Sequence, residues 1–156
     1  MSRFERLAPA LLAALAALAV AGCGNSQPEG LGAGCADREQ LSAALEKAPG
    51  TVALEGGTSI SGCVNSARSD ADLMTLGYAI TATADRLAEE ARGGDRAAAL
   101  QLGFLVGAAD RGASTSQGIQ SELAYRLESS ARRIETAGPQ ARAAFEEGRR
   151  AGRSQG

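Results

Sequence analysis

The stretch SDADLMTLGYAITATADRLAEEARGGDRAAALQLGFLVGAADRG, residues 69–112, decides the fold. Its first half places Leu73, Leu76, Gly77, Ile80, Ala84, Leu87 and Ala91 at helical spacing, so one face is apolar. Ser69 and Asp72 form a capping-box-like start, because a short carboxylate at the third helical position can answer the cap reciprocally. Gly93-Gly94 stops that helix. Asp95 then caps a second helix, expected over 96–110 with Gly112 past its end. From Ala97 to Ala109 the only polar side chain is Gln101. A helix that is apolar all round is buried, and this one is too short to span a bilayer. Gly103 and Gly107 lie on one face, and Gly inside a helix costs about 1 kcal/mol relative to Ala. A compensating close contact is therefore expected, with the helix before it or the one after. The alternative is a seam that admits a partner helix or a ligand chain.

Downstream, residues 113–118 read as a turn, and Ile119, Leu123, Leu127, Ala131 and Ile134 form the next stripe. Glu122 with Arg126 and Glu128 with Arg132 are i,i+4 pairs. Gly138-Pro139 ends this helix, and Pro139 can open another over about 140–150. Residues 151–156 read as a frayed, disordered tail. Upstream, Asp37 caps a helix expected over 38–47 that carries Leu41, Ala44 and Leu45 and stops at Pro49-Gly50. Residues 51–64 contain two strand-like runs around Gly56-Gly57, but an isolated hairpin is marginal in water. An irregular loop is expected there. The fold class is all-α: an antiparallel helical bundle of about four to five helices, with a disulfide-stapled N-terminal segment. Segments 69–92, 96–110 and 119–134 are its expected body, within a domain spanning 35–150.

The N-terminus has the three parts of an export signal. Arg3 and Arg6 are basic, Leu7 to Val20 is apolar apart from Pro9, and Val20-Ala21-Gly22-Cys23 follows. That tetrapeptide resembles the lipobox of bacterial lipoproteins. The resemblance covers only the leader and implies removal of residues 1–22, with diacylglycerol on the Cys23 thiol. The rival readings are a transmembrane helix, for which the apolar stretch is short, and an ordinary signal cut at Ala19-Val20-Ala21. In a host with an outer membrane, Gly24 after Cys23 resembles the pattern of lipoproteins sent outward. Residues 23–34 then read as a flexible Gly-rich tether.

With Cys23 assigned to lipid, Cys35 and Cys63 remain. In an oxidising envelope they are expected to pair, closing a loop of about 29 residues worth roughly 3.5 kcal/mol. Two free thiols, or two metal-ligand thiolates lacking partners, are the rival readings.

Composition removes most chemistry. The chain has no His, so it offers no Ser-His or Cys-His dyad and no imidazole metal ligand. Gly57-Thr58-Ser59-Ile60-Ser61 resembles a nucleophile elbow but lacks the final Gly. Lys47, the sole lysine, has no Ser three residues before it. Asp70 and Asp72 sit two apart and suit a helix N-terminus better than calcium. Glu89-Glu90 and Glu146-Glu147 belong to solvated faces. Net charge is −2 with no Trp, which lacks both the field and the stacking platforms of a nucleic-acid binder. Residues 35–110 carry 6 basic and 11 acidic side chains, and 111–156 carry 8 and 5. Complementarity between helices 69–92 and 119–134 accounts for that division. Contact of Arg149, Arg150 and Arg153 with an anionic surface is the alternative.

The expectation is a non-catalytic envelope lipoprotein, anchored by Cys23 to the cytoplasmic or outer membrane, that binds or scaffolds another envelope protein. No cofactor, metal or nucleic acid is expected. The alternative is a carrier of an apolar ligand or lipid between its helices.

Overall fold

The computed structural model describes residues 30–115 and 118–156. Among them are six α-helices: α1 (Arg38–Leu45), α2 (Ile60–Ser66), α3 (Asp70–Arg92), α4 (Arg96–Ser114), α5 (Ile119–Ala131) and α6 (Pro139–Gln155). Short 3-10 turns cover Glu55–Gly57 and Arg132–Thr136. Every described regular element is helical, as the periodicity requires.

The caps stand where the sequence puts them. Asp37 Oδ1 accepts from the backbone N–H groups of Glu39 (2.8 Å) and Gln40 (3.2 Å). Asp95 Oδ1 accepts from Ala97 (2.8 Å) and Ala98 (3.0 Å). Ser69 and Asp72 close a full capping box, with Asp72 N–H to Ser69 Oγ at 3.1 Å and Ser69 N–H to Asp72 Oδ2 at 3.2 Å. Each cap satisfies N–H groups that the first helical turn leaves unpaired.

Helix α4 is the core element. Leu102 through Ala109 are all buried, and α2, α3, α5 and α6 all pack against it. Its glycine face meets α6, not the helices on either side of it in sequence. A Cβ on Gly103 would overlap the Phe145 carbonyl oxygen and stand 2.9 Å from the Arg149 backbone nitrogen. One on Gly107 would overlap the Arg149 carbonyl. Reciprocally, a Cβ on Gly148 would overlap the Leu100 carbonyl, and one on Gly152 the Phe104 carbonyl. Two i,i+4 glycine pairs thus interlock, bringing backbone against backbone in the geometry of Cα–H···O contacts. The pairing 103 with 145–149 and 107 with 149–153 makes α4 and α6 parallel, as alternate members of an up-down bundle are.

Four expectations are corrected. Residues 60–66 form α2 where an irregular loop was expected. Ser59 Oγ accepts from Gly62 N–H at 3.1 Å, and Ile60, Cys63 and Val64 are buried together. So short a helix is marginal alone and stands on its tertiary contacts. α4 runs through Gly112 to Ser114, because a missing side chain at Gly112 admits α2: a Cβ there would lie 2.6 Å from the Ser61 carbonyl oxygen. The tail is helical to Gln155, not frayed from Ala151; Gly152 is buried and the Arg111 guanidinium donates to the Arg153 and Ser154 carbonyls. Leu31 to Gly34, expected within the flexible tether, lie against the domain: Leu31 packs on the core and Cys35 N–H donates to the Gly32 carbonyl at 3.2 Å. Smaller differences trim α1 at Leu45 and tighten the end of the fifth helix to 3-10 geometry, with Ile134 still buried.

Candidate functional site

Helices α3 and α5 do not close against each other along their outer edges. Leu123 faces Gly77, whose added Cβ would meet Leu123 Cδ1 at 3.7 Å, an ordinary contact. Farther along, Arg133 reaches Asp85 at 3.2 Å. Between those points and the start of α3 lies an open groove of about 790 Å³. Leu73, Gly77 and Leu123 line it, Met74 and Tyr78 stand on its α3 side, and Asp70, Asp85, Glu122 and Arg126 complete its margin.

Met74 and Tyr78 are also highly exposed, whereas Tyr125 is exposed on α5 away from the groove lining. Among the described residues, three large apolar side chains are exposed: Met74 at 76%, Tyr78 at 69% and Tyr125 at 58%. All three belong to α3 or α5. The Arg38 guanidinium lies 5.5 Å from the Tyr78 ring centroid, a cation–π contact from α1 that braces the ring. Asp70 pairs with no cation among the described residues, whereas Glu122 pairs with Arg126 (2.9 Å). The spacing Met74–Tyr78 could have flagged this face in the sequence. Both residues lie off the Leu76–Ile80–Leu87 stripe, where polar side chains are expected.

Two other depressions are more polar. One of about 390 Å³ between α5 and α6 sets Arg132, Arg142 and Arg149 among Glu128, Glu135 and Glu146. Another of about 540 Å³ lies between α1 and α3, beside Ser42 and Arg86. Neither presents a preponderance of one charge.

Of the residues singled out in the sequence, Cys35 and Cys63 form a disulfide with a Cα–Cα distance of 5.6 Å, joining the turn before α1 to α2. Cys23, with the rest of the leader, lies outside the described residues. Ser59 and Ser61 share a hydrogen bond of 3.1 Å, and Ser59 caps α2 while Ser61 donates to the Gly156 carbonyl. Both hydroxyls are thus engaged structurally. Asp72 serves the cap of α3; the Ser69 hydroxyl, then the Ser69 backbone N–H, holds its carboxyl below the ordinary value against a smaller opposing effect of burial. Among the described residues no group of carboxylates and thiols is arranged to hold a metal ion, and no helix is long and apolar enough to cross a membrane.

The charge division is satisfied mainly between α4 and α6. Arg149 reaches Glu128 at 2.7 Å and Asp110 at 3.6 Å, and Arg153 reaches Asp110 at 2.8 Å. Arg133–Asp85 is the ion pair that links α3 to the segment after α5. Two of the three arginines weighed for an anionic surface are therefore engaged internally, and Arg150 remains exposed. Compared with known proteins, the chain matches no family model, no curated protein and no solved structure.

Proposed function

We propose that this protein is a lipid-anchored, non-catalytic interaction module of the bacterial envelope, and that its working surface is the α3/α5 groove. The observation that carries this reading is the exposure of Met74 and Tyr78, which line the groove. Aromatic residues and Met are enriched at protein interfaces. Tyr offers an apolar body with a polar tip, and Met adapts to irregular partners. The anchor rests on Val20-Ala21-Gly22-Cys23, and the paired cysteines suit an oxidising compartment. The carrier alternative draws less support. The glycine face of α4, which could have held a ligand chain, is filled by the α6 backbone.

Photo-crosslinking in cells tests the reading. A photoreactive residue in place of Met74 should trap a discrete protein, and Tyr78→Asp should abolish the adduct. The same probe at Arg150, on another face, should trap nothing comparable. Adducts to lipid from position 74 would favour the carrier, and equal yields from both positions would remove the groove from consideration. Cys23→Ala should abolish membrane partitioning or leave the leader uncut.

A further inference from the structure

Along α3 the groove runs from Asp70 to Asp85, about four turns or roughly 22 Å at the helical rise. Its apolar floor and raised α3 side have the form that receives one face of an amphipathic helix, read through anchors at i, i+3 or i+4 and i+7. Its electrostatics narrow the choice. Of the charged side chains that line the groove, Asp70, Asp85 and Glu122 are acidic and Arg126 is basic. Asp70 has no cation partner among the described residues. The pairs Glu122–Arg126 and Asp85–Arg133 are between 44% and 66% exposed. Exposed pairs of this kind hold each other weakly, so an incoming cation displaces them at little cost.

We infer that the occupant is a cationic amphipathic helix of a partner protein, its apolar stripe on Leu73, Gly77 and Leu123 and its Lys or Arg side chains beside Asp70 and Asp85. This rests on the docking function proposed above. A second copy of the chain is disfavoured, because a two-fold contact sets this acidic face against itself. An anionic bilayer is disfavoured for the same reason. Arg38 contributes by fixing the Tyr78 ring before the partner arrives, which lowers the ordering cost of binding.

The test uses the exported, lipidated protein in phosphatidylcholine nanodiscs, with empty nanodiscs as the blank. The probes are two synthetic peptides of about 18 residues, long enough to be helical. They share one Leu face and carry Lys or Glu on the other. The Lys peptide should bind at least about tenfold more tightly than the Glu peptide, and added salt should weaken it. Asp70→Lys with Asp85→Lys should erase most of that preference. A photoreactive residue at Met74 should label the bound Lys peptide. Equal binding of the two peptides at the groove would leave the docking function standing and overturn the cationic partner. Absence of binding at the groove would overturn both, and concentration-dependent dimerisation blocked by Tyr78→Asp would make a second copy the occupant instead.

Discussion

The Cα of Gly103 faces the Phe145 carbonyl so closely that no side chain fits between α4 and α6 at that point. The obstruction is backbone on the partner helix, which cannot rotate aside as a flexible side chain would. Overpacking typically costs about 1–3 kcal/mol, and a rigid obstacle puts Gly103→Leu at the upper end. The expected result is a fall in melting temperature of about 10 °C for a domain of this size, followed by circular dichroism. Gly148→Ala, aimed at the Leu100 carbonyl from the other side, should behave similarly. A Gly103→Leu protein with unchanged melting would mean that α6 does not sit where described.

Gly77 is the counter-case. Its added Cβ meets only Leu123 Cδ1, at 3.7 Å, and Ala is better than Gly in a helix by about 1 kcal/mol. Gly77→Ala should therefore leave melting unchanged or raise it by a few degrees. The same substitution makes the groove shallower, so crosslinking from position 74 should fall while stability does not. Loss of both together would tie Gly77 to the core and not to docking.

The disulfide fastens the turn before α1 to a helix of seven residues. Removing a native bond from a small exported domain typically costs about 2–5 kcal/mol, a large part of a total near 5–15 kcal/mol. Cys35→Ala with Cys63→Ala should lower the denaturant midpoint, and α1 and α2 should lose amide-exchange protection before α4 does. Peptide mapping without reductant should recover both cysteines in one linked fragment. Two freely alkylated thiols in the exported protein would contradict the bond.

Asp72 gives the protein a defined acid sensitivity. Its folded carboxyl lies below the ordinary value of 3.8, chiefly through the Ser69 hydroxyl. The charged form is thus favoured by folding: the stabilisation is complete above the unfolded pKa and is lost as pH falls through the lower, folded one. Asp72→Asn should destabilise at pH 7 and have little effect in acid below both values. Urea titrations at neutral and at strongly acidic pH should show the gap between the two proteins closing. A gap that is constant with pH would mean that the cap does not depend on the carboxylate charge.

Much of the fold was legible because its determinants are local. Asp37, Ser69 and Asp95 each cap the helix that follows from within three residues. Gly93 and Gly94 end α3 for the same kind of reason. α2 was not legible: Ile60 and Val64 are indifferent helix formers and Gly62 is a poor one, and its stability comes from the Cys35 link and the crossing at Gly112. The groove was half legible, since Met74 and Tyr78 lie visibly off the apolar stripe, but no spacing says that α5 leaves them uncovered.

The residues themselves determine that the chain is helical, where most helices start, that α4 is buried, and that Cys35 and Cys63 are the pair available for a bond. They also exclude imidazole chemistry outright. Only the tertiary structure decides which helix fills the Gly103–Gly107 face, because two glycine pairs separated by more than forty residues recognise each other through backbone shape, which carries no signature along the chain. That choice brings Arg149 and Arg153 to Asp110. With α6 committed to α4, no helix among the described residues covers the outer face of α3, and the groove stays open.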